Sequence, residues 1–259
     1  MNWHRVLDRV QQWWRYPQPN WFQRRLTGQY TDVIDTEFTA LRQASEESAR
    51  YVQLHMRTVP NFSCDYDLHD WIVNTQLDAN LVSRGIVLEF GVATGRTLNQ
   101  FARLLPSKFI HGFDSFEGLP EDWTSRMPRG FFKRDNLPRV RDNSYLYVGW
   151  FNETLPQWKA LYANTPLLLL HIDCDLYSST KTVLTELREN IVLGTVIIFD
   201  EYLNYPGWQQ DEFAAWKEFC RNYNVKYEYI GRVSRHQQVA VRVISVALSF
   251  ATTITKWQM

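Results

Sequence analysis

The fold of this chain is indicated first by residues 87–97, which read Val87-Leu88-Glu89-Phe90-Gly91-Val92-Ala93-Thr94-Gly95-Arg96-Thr97. An apolar run ends in a carboxylate and two glycines, and a segment with helical character follows. This order predicts a strand, a tight turn and the start of a helix. Gly91 and Gly95 lack a Cβ, so the backbone there can turn sharply and approach a bound ligand closely.

The glycine spacing of this turn narrows the choice of ligand. Glu-x-Gly-x-x-x-Gly differs from the Gly-x-Gly-x-x-Gly pattern of NAD-binding domains and lacks the Gly-Lys-Ser/Thr ending of phosphate-binding loops. A ligand without a pyrophosphate, whose cationic amino group meets Glu89, fits the pattern, and S-adenosylmethionine is such a ligand. We therefore predict that Glu89, Gly91, Ala93 and Gly95 bind this cofactor. A strand–helix turn that binds no ligand is the alternative.

Strand-like and helix-like segments alternate along the chain from residue 86 onwards. Such alternation predicts an α/β fold with a mostly parallel sheet, covered by helices on both faces. Seven strands are expected, and the last two form a C-terminal antiparallel hairpin. The predicted strands are 86–90, 109–113, 145–148, 167–172, 195–199, 226–230 and 239–244, and the predicted helices are 97–105, 155–163, 179–191 and 209–223. Residues 114–143 contain three prolines and are predicted to form a long loop.

The first 80 residues have a different character. Helical spacing of apolar residues predicts helices near the N-terminus, over 36–57 and over 67–84. The N-terminal segment is rich in arginine and tryptophan, which favours a dimer contact or a lid over the active site. We therefore expect an N-terminal helical extension over 1–80 and a catalytic domain over 81–259.

Composition excludes several classes of function. The 259 residues contain 28 lysines and arginines and 28 aspartates and glutamates, so the net charge is zero. A nucleic-acid partner is not expected, because such binding needs a basic surface. No apolar run reaches the length of a membrane span, so no membrane partner is expected either. The three cysteines are widely spaced and match no zinc motif, which favours a cytoplasmic location.

Ligands of open parallel sheets bind at the carboxyl ends of the strands, so the residues that follow each strand are candidates for the site. Asp114 ends the second strand, where a carboxylate can accept hydrogen bonds from both ribose hydroxyls, and Ser115 follows it. Trp150 and Phe151 follow the third strand and could form the flat apolar wall that an adenine ring needs. The alternatives are that Asp114 caps a turn and that the two aromatic residues belong to the core.

Carboxylates follow both the fourth and the fifth strand. Asp173 and Asp175 come after one, Asp200 and Glu201 after the other, and the two strands should be neighbours. Like charges this close destabilise one another unless a cation lies among them. Oxygen ligands favour Mg²⁺ over zinc, and such an ion could hold and activate a substrate hydroxyl.

Other roles are open for some of these residues. Asp175 could cap the following helix. His171, on the same strand face as Asp173, could be a core histidine with satisfied hydrogen bonds. His236, in the turn of the hairpin, is a reserve candidate for a general base, beside Arg232 and Arg235.

Four motifs in this order resemble the macrocin O-methyltransferase family. They are Phe113–Pro120, Gly149–Pro156, His171–Tyr177 and Phe199–Tyr202, the last followed by Gly207-Trp208. The resemblance covers about residues 80–245. It implies a Rossmann-like class I methyltransferase that uses S-adenosylmethionine and Mg²⁺ to methylate sugar hydroxyls on natural products.

The resemblance also implies roles for single residues. Asp173 would bind the metal and act as the base for the acceptor hydroxyl, and Asp200 would be a second ligand. The family has an aspartate where this chain has Glu201, so the third ligand would be one methylene longer and would bind directly or through water. The family further implies homodimers in which N-terminal segments help to close the active site.

We therefore predict an O-methyltransferase that acts on a hydroxyl of a small molecule, a sugar moiety of a natural product. Two alternatives stay open. One is a methyltransferase-fold protein that has lost its chemistry and serves in binding or regulation, and the other, weaker one is an NAD-dependent dehydrogenase. Binding of a divalent metal together with the cofactor separates the first alternative from the enzyme. The sequence does not identify the acceptor.

Overall fold

A computed structural model describes residues 36–246 of the chain. The predicted N-terminal helix and its arginine-rich segment lie outside the described residues, as does the end of the chain after residue 246. No helix within 36–246 is long and apolar enough to cross a membrane.

The described chain contains seven helices and eight strands. The helices are α1 (Thr36–His55), α2 (Asp65–Thr75), α3 (Ala79–Val82), α4 (Arg96–Leu104), α5 (Phe151–Tyr162), α6 (Tyr177–Glu186) and α7 (Glu212–Tyr223). The strands are β1 (Asn61–Phe62), β2 (Ile86–Phe90), β3 (Ile110–Asp114), β4 (Ser144–Val148), β5 (Leu167–Ile172), β6 (Val196–Phe199), β7 (Lys226–Val233) and β8 (Val239–Ser245).

All eight strands form one sheet in the order β1-β7-β8-β6-β5-β2-β3-β4. Strand β8 runs antiparallel to both of its neighbours, β6 and β7, and every other pair is parallel. The chain starts the parallel part at β2, moves outward to β3 and β4, and then returns to place β5 on the other side of β2. This reversal opens a crevice at the carboxyl ends of β2 and β5, where doubly wound sheets bind their ligands.

Two apolar cores cover the two faces of the sheet. All six residues of β5 are buried, as expected for a central strand with no polar face. Leu88, Leu170 and Phe199 belong to the core that packs against α5, α6 and α7. Val87 and Leu168 belong to the opposite core, which packs against α2 and α4. The parallel α/β architecture with its C-terminal antiparallel hairpin is therefore confirmed.

Two details of the prediction are wrong. The sheet has eight strands because the two-residue β1 pairs with β7, and two residues are too few to give a period that can be read from sequence. The helix predicted over 67–84 is two helices, α2 and α3. The carboxylate of Asp78 accepts hydrogen bonds from the backbone N–H groups of Asn80 and Leu81, so it starts a new helix where we had extended the old one.

The long segment between β3 and β4 has no helix or strand, as predicted, and its middle is attached to the rest of the protein. Trp123 Nε1 donates a hydrogen bond of 2.9 Å to Asp211, the residue before α7. Glu121 accepts a hydrogen bond from Ser178 of α6, and Arg126 forms an ion pair with Glu37 of α1. The segment therefore lies over the carboxyl ends of the strands and not away from them.

Candidate active site

A cavity of about 320 Å³ lies at the carboxyl ends of β2, β3, β5 and β6. All the predicted site residues except Glu89 and Gly95 line it. Those that line it are Gly91, Ala93, Asp114, Ser115, Trp150, Phe151, Asp173, Asp200 and Glu201. The structure thus brings the predicted cofactor residues and the predicted metal ligands to one cavity.

The sheet itself aligns these residues. Phe90 pairs with Phe113 and with Ile172, and Ile172 pairs with Phe199, so the four strands end at the same level. The ladder of hydrogen bonds continues by one residue, because Asp173 N–H donates to Phe90 O at 2.8 Å and Asp200 N–H to Ile172 O at 2.8 Å. The backbones of Gly91, Asp173 and Asp200 are consequently held side by side.

Gly91 has a backbone conformation and a neighbour that only glycine permits. Its φ is +90°, and a Cβ placed on it would lie 1.6 Å from the carbonyl oxygen of Asp173. Gly95, with φ +73°, is the N-cap residue of α4 and ends the turn. The two glycines therefore let the turn pass directly against the first residue after β5.

The carboxylate of Asp114 joins the β2–α4 turn to the end of β3. Its Oδ2 accepts a hydrogen bond of 2.8 Å from Ala93 N–H, and its Oδ1 accepts one of 2.7 Å from Phe116 N–H. Each oxygen keeps a second lone pair for a ligand, and the residue is partly exposed to the cavity. The turn-capping role and the predicted ribose contact are therefore compatible.

Trp150 and Phe151 form an aromatic wall at the start of α5. Trp150 is the N-cap residue and Phe151 the first residue of the helix, and both are partly exposed. Phe151 packs edge-on against Phe90 with 5.1 Å between the ring centroids. Phe151 therefore contacts the core on one side and the cavity on the other. It can be a core residue and still offer an apolar surface to a ligand.

Glu89 lies beneath the cavity and not on its surface. The residue is fully buried, and its Oε1 accepts a hydrogen bond of 2.9 Å from the Thr97 hydroxyl. Its other oxygen lies 3.5 Å from Nδ1 of His171. In this conformation the carboxylate faces His171, whereas the sequence had predicted contact with the amino group of a cofactor.

His171 is enclosed between two acids. Its Nε2 lies 3.7 Å from Asp200 Oδ1, and the side chain has no exposed surface. Burial alone would lower the pKa of this imidazole, but the facing carboxylates of Asp200 and Glu89 raise it to about 10. The two carboxylates therefore favour the protonated imidazole, and the ring lies beneath the cavity and not in its lining.

The acids after β5 and β6 face one another across the cavity. One ligand atom each from His171, Asp173 and Asp200 lie within 4.8 Å of one another. Burial and the charge of Asp200 raise the pKa of Asp173 well above its usual range, and they raise the pKa of Asp175 to about 7. Glu201 is buried in the same cluster, where burial and Asp200 also raise its pKa. The cluster therefore carries more carboxylates than its surroundings can keep charged.

Asp175 does not cap α6. The N-cap residue of that helix is Leu176, without a side-chain hydrogen bond, and Asp175 lines the cavity with a left-handed φ of +63°. His236 is exposed and is not part of the cavity lining. The structure therefore places Asp175 in the acidic cluster and leaves the reserve base outside it.

Two residues of the site were missed by the sequence analysis. Arg96 lines the cavity, forms an ion pair of 2.6 Å with Asp65, and stacks over Tyr66 at 5.1 Å. Glu212 is fully buried and accepts backbone hydrogen bonds from Cys174 and Glu201. Arg96 follows the glycine turn and could have been noticed there, but the partner acid on α2 depends on tertiary packing.

Comparison with known proteins finds a matching family model and similar solved structures. Residues 129–234 match the model of the macrocin-O-methyltransferase family (TylF). No curated protein matches the chain in sequence. The crystal structure of CalS11, a calicheamicin methyltransferase, superposes with a TM-score of 0.53 and 23% identity, over 82% of this chain and 95% of that one. The O-methyltransferase NovP superposes with a TM-score of 0.50 and 20% identity, over 70% and 78%.

These comparisons agree with the motifs. The matched stretch includes the acidic residues after β5 and β6 and the whole of α7. The two solved structures share the fold of this chain. The resemblance seen in the sequence is thus confirmed over residues 129–234, where the chain matches the macrocin-O-methyltransferase model, and the fold is that of the Rossmann-like class I methyltransferases.

Proposed function

We propose that this protein is an S-adenosylmethionine- and Mg²⁺-dependent O-methyltransferase whose acceptor is a hydroxyl of a small molecule, a sugar moiety of a natural product. One observation carries the proposal. A single cavity is lined at one end by Asp114 and Trp150, which suit an adenosine, and at the other by Asp173 and Asp200, which suit a cation. A methyl donor and a metal-held hydroxyl would meet between them.

The acidic end fits a hard divalent cation. Asp200 Oδ1 and Glu201 Oε2 are buried and have no hydrogen-bond partner among the described residues. Oxygen donors, with one imidazole nearby, match the preference of Mg²⁺. The residues that would hold the ion are Asp173, Asp200 and Glu201. When bound, the ion would lower the pKa of the acceptor hydroxyl and stabilise the alkoxide.

The residues of the chain would position the reactants and take up one proton. S-adenosylmethionine supplies an electrophilic methyl group on its sulfonium. Asp173 would accept the proton of the acceptor hydroxyl as the oxygen–carbon bond forms and the sulfur–carbon bond breaks. Arg96 and the cationic His171 hold charge opposite Asp200, whose pKa they keep below its usual range against the effect of burial. Most of the catalysis would come from this placement.

Calorimetric titration with S-adenosylhomocysteine, with and without Mg²⁺, tests the proposal. We expect cofactor binding and a separate Mg²⁺ response that Asp173→Ala and Asp200→Ala lose while cofactor binding is largely retained. Asp142→Ala changes an exposed acid of the loop and serves as the control. Turnover of a glycoside acceptor should be lost in Asp173→Ala. Cofactor binding without any Mg²⁺ response would favour the binding or regulatory alternative, and no cofactor binding would contradict the proposal.

Three expectations about the whole protein are part of the same proposal. Residues 1–80 would form a helical extension that helps to close the site, and residues 81–259 the catalytic domain. The described part of the extension contacts the sheet, since β1 pairs with β7 and α2 packs on the same core as α4. The protein would be a homodimer, which light scattering can test, and it would work in the cytoplasm without a nucleic-acid partner.

A further inference from the structure

Helix α7 begins with a buried carboxylate that faces the acidic cluster from behind. Glu212 has no exposed surface and does not line the cavity. Its Oε1 accepts a hydrogen bond from Cys174 N–H at 3.4 Å, and its Oε2 accepts one from Glu201 N–H at 3.1 Å. Cys174 directly follows Asp173, and Glu201 directly follows Asp200. One side chain therefore contacts the backbone directly after Asp173 and directly after Asp200, and the second contact is with Glu201, the third predicted metal ligand.

The N–H groups of Cys174 and Glu201 lie just beyond the hydrogen-bond ladder of the sheet. Beyond the ends of β5 and β6, the last N–H groups that donate to a neighbouring strand are those of Asp173 and Asp200. The next N–H groups, of Cys174 and Glu201, are buried beyond the ladder and need an acceptor. A carboxylate is the strongest acceptor that a side chain offers, and its two oxygens can accept from both groups.

The helix holds this carboxylate in place. Trp216 of α7 packs in the core under β6, where it contacts Phe199 with 5.6 Å between the ring centroids. The preceding residue, Asp211, accepts hydrogen bonds from Trp123 and Tyr205. Glu212 is therefore held by core packing of its helix on one side and by the hydrogen bonds of Asp211 on the other.

We propose that Glu212 is a positioning residue that fixes the separation of Asp173 and Asp200 and thereby sets the cation affinity of the site. The inference rests on the proposed function, since it assumes that these aspartates bind a cation. Glu212 would not bind the ion itself, because its side chain is fully buried and does not line the cavity. Without it, the N–H groups of Cys174 and Glu201, which lie beyond the ladder, would have no shared acceptor.

Glu212→Gln tests this role with little change in volume. The amide oxygen can still accept one backbone hydrogen bond, but the amide nitrogen is a donor and opposes the other N–H group. We expect Mg²⁺ affinity, measured by calorimetry with S-adenosylhomocysteine present, to fall at least tenfold. Affinity for S-adenosylhomocysteine, measured in EDTA, should stay within about threefold of the wild type.

A control separates positioning from general destabilisation. Phe219→Leu alters a buried residue two turns further along the same helix, where the ring packs against Tyr223, and it should lower the melting temperature without changing Mg²⁺ affinity. If Glu212→Gln does not fold, Glu212→Asp, which keeps both acceptors but shortens their reach, is compared in the same way.

The outcomes distinguish this inference from the proposed function. A wild-type protein that binds no Mg²⁺ would contradict the proposed function. A wild type that binds Mg²⁺, with a Glu212 variant that binds it equally well, would overturn the positioning role alone. An equal loss of Mg²⁺ affinity in Phe219→Leu would also overturn it, because the effect would then be one of stability.

Discussion

Gly91 occupies a position at which the backbone conformation and the neighbouring chain both exclude a side chain. Gly207 provides a natural comparison, because its φ of +88° is nearly the same and a Cβ there would meet nothing within 4 Å. Alanine at Gly207 would cost only the left-handed conformation, about 1–2 kcal/mol. Alanine at Gly91 would in addition displace the carbonyl of Asp173, which lies in the middle of the proposed site.

We predict that Gly91→Ala loses at least about 2 kcal/mol more unfolding free energy than Gly207→Ala, a cost of the size found for overpacked cores. Urea denaturation of both variants measures the difference. Gly91→Ala should also lose binding of S-adenosylhomocysteine in calorimetry, whereas Gly207→Ala should retain it. Equal stability losses in the two variants would contradict the close approach between the turn and β5.

Helix α1 is joined to the sheet by a network of tyrosine hydroxyls. Tyr51 lies 2.6 Å from the hydroxyl of Tyr229 on β7, which lies 2.9 Å from Tyr202 and 3.2 Å from Tyr227. One turn earlier in α1, Ser48 accepts a hydrogen bond from Asn204 N–H. The helix therefore contacts the loop that begins at Glu201 and supports one side of the acidic cluster.

We predict that Tyr51→Phe destabilises the protein by about 1 kcal/mol, because the hydroxyls on β7 and the neighbouring loop lose a partner in a half-buried network. Amide hydrogen exchange in the last turns of α1 should become faster, while that of β5 should not change. Leu54→Ala alters a residue of the same helix that is 79% exposed and should leave both measurements near the wild type. Exchange in α1 that is as slow in Tyr51→Phe as in the wild type would show that ring packing alone holds the helix.

The same elements show how far the sequence could predict the structure. The central strands were predicted within one or two residues, because runs such as Leu167–Ile172 are apolar throughout and end at polar residues. Asp173 and Asp200 could be predicted as site residues because each directly follows such an apolar run. Element ends that depend on one side chain, such as the break before α3 made by Asp78, could not be recognised from apolar periodicity.

The contacts behind the cavity could not be predicted, for a different physical reason. Glu212 and His171 act across elements that are distant in sequence, and their partners are decided by the packing of α7 and by the register of β2 with β5. Glu89 was assigned to the ligand because it ends a strand beside the glycine turn. Its side chain faces His171 because of the register between β2 and β5, and this register cannot be predicted from a sequence motif.

Although the protein has no net charge, four of its carboxylates meet at one edge of the sheet. Asp173, Asp175, Asp200 and Glu201 meet there, and the nearby cations are His171 and Arg96. Burial and the charge of Asp200 raise the pKa of Asp173, so the folded protein resists ionising this group more than the unfolded chain does. Stability is therefore lost as pH rises above the unfolded pKa of the carboxyl group.

We predict that Asp173→Asn makes the metal-free protein more stable at pH 8 by about 0.5–2 kcal/mol, because the amide has the same shape and no charge. The gain should shrink as the pH falls through about 4, the pKa of aspartate in the unfolded chain, because below it the carboxyl is protonated in both states. Urea unfolding in EDTA at several pH values measures it, with Asp142→Asn as the control for an exposed acid.

Magnesium should reverse the order of stability. Wild-type protein at a Mg²⁺ concentration 100 times its Kd should gain about 2.7 kcal/mol from binding to the folded state, and Asp173→Asn should gain little. The ion replaces repulsion among the carboxylates by attraction. Asp173 should therefore lower the unfolding free energy of the metal-free protein and raise that of the Mg²⁺-bound protein. If the wild type is as stable as Asp173→Asn in EDTA, the carboxylates do not destabilise the metal-free protein and the prediction is wrong. If the wild type gains no stability from Mg²⁺, the cluster does not bind this cation.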